Sequence, residues 1–173
     1  MQSTPSSNLY SKVIENSRRV RWDIDRDVIR NRRFDLGKVF LPAGLSLVNE
    51  LTFMAPGDRR LLSQVQGRSY AYIFGLVERF IGAKMIEIGR QHALGDQMAL
   101  EALVRMTDEE LKHQALFRRM EAMMAADMPA GYMATADPDA VAAAVLSRSS
   151  WSVLALTLDI ELLPLTHHRP AIA

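Results

Sequence analysis

The fold is decided by the stretch Thr107-Asp108-Glu109-Glu110-Leu111-Lys112-His113-Gln114. Glu110 and His113 are three residues apart, so on an α-helix both side chains project from the same side, one turn apart. A carboxylate and an imidazole placed in this way can bind one metal ion, and the pair suits iron, manganese or zinc. The stretch therefore predicts a helix that contributes two ligands to a metal site inside a helical bundle.

The composition describes an ordinary globular chain. Its 173 residues predict one domain with a sizeable core. The formal net charge of +1 gives no electrostatic reason to expect nucleic acid or a membrane as a partner. The absence of cysteine excludes disulfides, thiolate metal ligands and cysteine nucleophiles. Because the polar N-terminus does not resemble a signal peptide and no apolar run is long enough to span a bilayer, we expect a cytoplasmic protein.

Apolar residues recur at helical spacing, and the alternation typical of strands is not found. Helices are predicted over residues 42–54, 58–94, 96–124 and 141–163. Pro56-Gly57-Asp58 is interpreted as a turn with an N-cap, Asp96 and Asp137 as further N-caps, and Pro138 as the start of the last helix. The sequence therefore predicts an all-α fold, an antiparallel helical bundle over residues 37–173, preceded by a charged N-terminal tail or arm over residues 1–36.

The segment from Tyr10 to Arg33 is dense in charges of both signs. A basic binding arm is one interpretation of this segment. We favour a solvated helix or extended arm with internal ion pairs, each of which contributes little to stability.

Carboxylates occupy apolar stripes on two further predicted helices. Glu78 falls in line with Ile81 and Met85, and Glu161 follows Leu158 at helical spacing. A buried carboxylate is costly unless it is paired or binds a cation. Glu78, Glu161 and the E-x-x-H unit are therefore most simply explained by one shared metal site.

Simpler interpretations stand beside this one. A single E-x-x-H unit arises by chance in Glu-rich helices, and the ten methionines are most simply core filler. We expect Glu87 and Arg90 to form a solvated i,i+3 pair and His92 to lie at a helix end or at the surface. Surface charges are expected at Glu109, Lys112 and Glu121. The metal interpretation is favoured because the candidate ligands fall on separate predicted helices.

Four stretches carry a resemblance to a known family: Leu45–Glu50, Gly75–Lys84, Thr107–Gln114 and Leu156–Leu162. Over roughly residues 15–169, the chain resembles the ferritin-like di-iron oxygenases of the para-aminobenzoate N-oxygenase type. The first ligands of that family are a Glu, an E-x-x-H pair and a later Glu. The residues that match them in order and spacing are Glu78, Glu110, His113 and Glu161.

The resemblance implies a ferritin-like bundle that binds two irons, uses dioxygen as co-substrate and oxidises a small organic substrate such as an amine. In that pattern Glu110 would bridge the irons and His113 would be a terminal ligand. Glu78 and Glu161 would be terminal or bridging. Neither nucleic acid nor a membrane is expected as a partner.

The family has a further helix with the motif H-x-x-x-E-x-x-H, which this sequence lacks. We therefore expect a C-terminally truncated or degenerated member of the family, or a fragment of one. Pro164 is expected to disturb the helix just after Glu161. His167 lies where relatives keep a histidine and is a candidate fifth ligand, although with His168 it could equally form a flexible surface pair.

Two functions remain open at this stage. The first is a di-iron or other di-metal carboxylate protein that acts as an oxygen-dependent oxidoreductase or oxygenase. The second is a catalytically inactive helical bundle that acts in packing or protein–protein interaction. An apolar face left uncovered by the absent helix would favour an interface. We expect a homodimer, in which the second copy could also supply ligands.

Overall fold

The computed structural model describes the backbone of residues 5–172 and the side chains of residues 8–163. Within these residues all regular structure is helical, which confirms the all-α class. The elements are α1 (Pro5–Arg19), a π-helical segment (Ile24–Ile29), α2 (Ala43–Ser46), a 3-10 turn (Val48–Glu50), α3 (Pro56–Gly89), a second 3-10 turn (Arg90–His92), α4 (Gln97–Asp127), α5 (Pro138–Leu146) and α6 (Ser150–Ile172). No helix in this part of the chain is long and apolar enough to cross a membrane.

The antiparallel pair of α3 and α4 is the centre of the fold. Three glycines of α3 lie seven residues apart and face α4, because seven residues are close to two helical turns. A Cβ atom at these positions would meet α4 at ordinary contact distance: at Gly75 3.6 Å from Phe117, at Gly82 3.8 Å from Glu110 and at Gly89 3.6 Å from Leu100. Since no α3 side chain separates the two helices along this stripe, their backbones approach closely.

Two of the predicted helix starts are confirmed in detail. The Asp96 side chain accepts hydrogen bonds from the backbone N–H groups of Met98 and Ala99, at 3.0 and 3.1 Å, and caps α4. The Asp137 side chain caps α5 in the same way, and Pro138 is its first residue. These caps satisfy backbone donors that have no partner within the helix.

Two predicted boundaries are wrong. Pro56 does not lie in a turn but begins α3, a position that suits proline because its fixed φ is helical and its missing N–H is not needed there. The predicted helix 42–54 is interrupted at Leu47, which has a left-handed φ of 52° and separates α2 from the 3-10 turn.

The predicted C-terminal helix 141–163 is two helices. The Ser149 hydroxyl accepts a hydrogen bond from the Ser152 N–H at 3.2 Å, and this cap starts α6 after a break. The expected disturbance at Pro164 does not end α6, whose backbone continues to Ile172. A proline removes one helical hydrogen bond, and the adjoining turns can carry the helix past it.

Two apolar clusters form the core, and Glu78 lies close to their junction on α3. The first contains Val77, Phe80, Ile81 and Met85, packed against α4, α5 and α6. The second contains Ala71, Met124 and Met128, packed against residues that include Phe34, Phe40 and Phe117. The predicted core positions of Ile81 and Met85 are thereby confirmed.

The N-terminal segment lies against the bundle. Arg26 and Asp27 form an internal ion pair of the expected kind. Arg18 also pairs with Glu101 of α4 at 2.8 Å, a partner outside the segment that the sequence did not indicate. Charged groups on α4 provide the partners that the local sequence does not show.

The close approach of the two long helices can be tested at Gly82. Gly82→Ala adds only the Cβ that fits, and alanine is the better helix former, so the free energy of unfolding should stay the same or rise by up to about 1 kcal/mol. Gly82→Leu must displace Glu110 and Thr107 and should lower it by about 1–3 kcal/mol. Urea unfolding of both variants measures this, and equal stability of the two would contradict the close packing.

Candidate metal centre

Glu78 of α3 comes together with Glu110 and His113 of α4. Each residue offers one ligand atom, and the three atoms lie within 4.8 Å of one another. His113 Nδ1 is 3.1 Å from Glu110 Oε2 and 3.8 Å from Glu78 Oε1. The one-turn spacing on α4 places the first pair, and the glycine stripe of α3 lets Glu78 approach it.

The two carboxyl groups are shielded from water, whereas the imidazole is partly open. Each glutamate side chain is 5% exposed, and that of His113 is 37% exposed. Glu78 Oε2 is buried and has no hydrogen-bond partner among the described residues. Leaving such an atom unsatisfied costs about 1–3 kcal/mol. This oxygen is satisfied if it carries a proton or binds a cation.

The three groups hold their protons unequally. Burial, followed by the hydrogen bond and negative charge of Glu110, raises the pKa of Glu78 to about 9. Burial also raises the pKa of Glu110, but the hydrogen bonds to His113 and Glu78 outweigh it, so that the pKa is lowered. The hydrogen bond to Glu110 raises the pKa of His113. In the metal-free protein Glu78 is therefore neutral and Glu110 ionised near pH 7.

These residues fit a divalent transition metal. Two carboxylates balance the charge of such an ion, and carboxylate with imidazole is a ligand set of iron, manganese or zinc. Ligand atoms held at about 2.0–2.2 Å from one ion lie roughly 3–4 Å from each other, and the two distances from His113 Nδ1, 3.1 and 3.8 Å, are in this range. Binding would displace the Glu78 proton, so the affinity for the metal should rise with pH.

Two further predicted ligands have different outcomes. Glu161 on α6 is exposed and does not belong to the group of three ligand atoms. Partial shielding from water, followed by the negative charge of Glu110, raises its pKa, so it is electrostatically close to the site. The side chain of His167 lies outside the described residues. Glu161 and His167 as ligands stay predictions.

Sequence reasoning missed Trp22, whose ring stacks on one face of the His113 imidazole. The two rings stack with centroids 5.9 Å apart and planes inclined by 24°. Glu109 and Lys112, predicted to be surface charges, are only 23% exposed and contact the same indole. No sequence periodicity relates Trp22 to α4, so only the folded structure could connect them.

Two other charged residues also have partners that the sequence did not indicate. Glu87 pairs at 2.7 Å with Lys84, whose side chain is 2% exposed, and not with Arg90 as expected. Glu121, expected at the surface, is 28% exposed and pairs with Arg68 at 2.8 Å. The Arg68–Glu121 pair connects α3 to α4, whereas Lys84 and Glu87 lie one turn apart on α3, and both pairs lie outside the metal cluster.

A cleft of about 470 Å³ lies between α3 and α4 beside the cluster. Its lining includes Gly75, Gln114 and Phe117, with Arg79 and Arg118 also bordering it. Gln114 connects the cleft to the site, since its Nε2 donates to the Glu78 carbonyl oxygen at 3.3 Å. The three candidate ligands are not part of its lining, and the connection runs through Gln114 and the Glu78 backbone.

None of the known protein-family models, curated proteins or solved structures matches this chain. The resemblance drawn from the sequence motifs thus stays a prediction.

The protonation of Glu78 can be tested on the metal-free protein. The folded state keeps the Glu78 proton up to a pH of about 9, whereas an unfolded glutamate loses it near its ordinary value of 4.5. Between these values the unfolded state binds fewer protons, so stability should fall with rising pH, by at most about 1.4 kcal/mol per pH unit. Glu78→Gln keeps the neutral shape and should remove most of this slope.

The measurement is urea unfolding in the presence of a chelator, at several pH values from about 5 to 8. Near pH 5 the two proteins should have similar stability, because wild-type Glu78 is then protonated in the folded state. Parallel pH profiles would contradict the assignment of a raised pKa to Glu78.

Proposed function

We propose that this chain is a metal-binding helical bundle of the ferritin-like carboxylate kind, with iron held by Glu78, Glu110 and His113. The observation that carries the proposal is the buried, unpartnered Glu78 Oε2 beside a second carboxylate and an imidazole. Three potential ligands converge on one point from two helices, at a place where an apolar core would otherwise exclude charge.

The activity we propose is oxygen-dependent oxidation of a small organic substrate. Bound iron would supply the one-electron chemistry that dioxygen requires. The protein would bind the substrate in the cleft between α3 and α4, where Phe117 offers an apolar surface and Gln114 is one residue from His113. Arg79 and Arg118 would favour an anionic group on the substrate.

A second iron requires more ligands than these three. Glu161 is one additional candidate, because the negative charge of Glu110 contributes to raising its pKa. His167, or residues of a second copy of the chain, would complete the set. A homodimer therefore belongs to this proposal.

A second candidate function is a catalytically inactive bundle that acts in packing or protein–protein interaction. It is favoured by an exposed apolar stripe on α6 at helical spacing. Its members are Trp151, Leu154, Leu158 and Leu162, with exposed fractions of 79%, 40%, 60% and 49%. Stripes of this kind commonly mark interfaces. Light scattering that shows a clean monomer at all concentrations would count against it and against the homodimer.

The metal site is tested by anaerobic titration with Fe(II), followed by calorimetry and by metal analysis after desalting. Glu110→Ala and Glu78→Gln should each weaken binding by about 100-fold or more, because each removes a direct ligand, whereas changes in outer-shell partners cost about 10–100-fold. Asp108→Asn is the matched control: it removes an exposed carboxylate two residues from Glu110 and should bind like wild type.

Iron bound equally by Glu110→Ala and wild type would show that the site is elsewhere. Two irons per wild-type chain would support the di-iron centre that the resemblance implies. One iron per chain would restrict the proposal to a mononuclear site. No binding by wild type would favour the inactive bundle.

A further inference from the structure

Trp22 packs against one face of the candidate ligand His113. With Trp22 in place the His113 side chain is still 37% exposed, so the core and Trp22 restrain the imidazole without enclosing it. The indole of Trp22 stacks on it with centroids 5.9 Å apart and an interplanar angle of 24°. A ring stacked in this way resists rotation about the Cβ–Cγ bond, the motion that would turn Nδ1 away from the two carboxylates.

Trp22 is itself fixed by two neighbours of His113 on α4. Its Nε1–H donates to Glu109 Oε2 at 3.0 Å, and the Lys112 ammonium lies 4.8 Å from the ring centroid. Lys112 and Glu109 are also paired with each other at 3.3 Å. A hydrogen bond to a carboxylate and a cation–π contact each favour one orientation of the indole. These two contacts hold the Trp22 indole beside His113.

The chain on either side of Trp22 is tied to α4. Arg18 pairs with Glu101 at 2.8 Å, and Asp25 approaches Arg119 at 3.8 Å. We call residues 18–25 the strap, because they run along α4 between these two ion pairs and Trp22 lies near the middle.

We infer that Trp22 is a positioning residue for the metal centre: the strap holds it against His113 and keeps Nδ1 directed towards Glu78 and Glu110. This inference rests on the proposed function, since it concerns the same site. Trp22 would not itself bind the metal. It would raise the affinity for metal by ordering His113 in advance, because the loss of side-chain conformational entropy would then not occur on binding.

The test is anaerobic titration with Co(II), whose visible absorption reports the number and geometry of its ligands. Trp22→Leu should bind about 10-fold more weakly, with an altered Co(II) spectrum, as expected for loss of a partner that orients a ligand. Trp22→Phe keeps a ring to stack but loses the bond to Glu109, and should recover most of the affinity. Trp151→Leu is the matched control, since that indole is 79% exposed on α6.

Fluorescence supplies a second readout that does not depend on activity. In a Trp151→Phe background Trp22 is the only tryptophan, and Co(II) at His113 should quench its emission strongly at one equivalent. In a Trp22→Phe background the emission of Trp151 should change little. Glu109→Ala keeps both aromatic side chains but removes the hydrogen bond that fixes the Trp22 indole. It should therefore weaken the quenching.

The outcomes separate this inference from the proposal on which it rests. Failure of wild type to bind Co(II) would overturn both. Binding by wild type and Trp22→Leu with equal affinity and identical spectra would overturn the role of Trp22 alone. If Trp22→Leu does not fold, Glu109→Ala decides the question: unchanged affinity, Co(II) spectrum and Trp22 quenching in that variant would overturn the inference.

Discussion

Burial of the Glu78 carboxyl against Glu110 is the interaction on which the rest of the structure depends. Two acidic groups in an apolar interior repel each other when both are ionised, and each loses its hydration. Without metal, Glu78 keeps its proton and so avoids the repulsion from Glu110, since the pKa of Glu78 is raised to about 9. With a divalent cation the same two groups would become ligands. An apolar pair would pack more simply, which is why we interpret the carboxylates as functional.

The geometry that allows this arrangement comes from the backbone. Glycines repeated every seven residues let α3 lie close to α4, so the short distance between Glu78 and the E-x-x-H unit is a property of the helix pair and not of flexible side chains. The N-terminal strap adds a contact to one face of His113 through Trp22. Rigid helices position two carboxylates, and a less regular segment orients the imidazole.

The sequence predicted what depends on local chemistry. Capping by Asp96 follows from one side chain and the next backbone N–H groups, and Glu110 and His113 share a face by helical geometry alone. Contacts between distant segments were missed, because periodicity within one segment carries no information about them. Trp22 meets Glu109 across 87 residues, and neither residue shows this in its own neighbourhood.

The most direct test of the central claim is diffraction from crystals soaked in Mn(II), with anomalous differences used to locate the ion. We expect one strong peak bonded to Glu78, Glu110 and His113 Nδ1, at about 2.0–2.3 Å from each ligand atom. A second peak near Glu161 would extend the site to two metals. Mn(II) bound only at surface carboxylates, with Glu78 still buried against Glu110, would contradict the account.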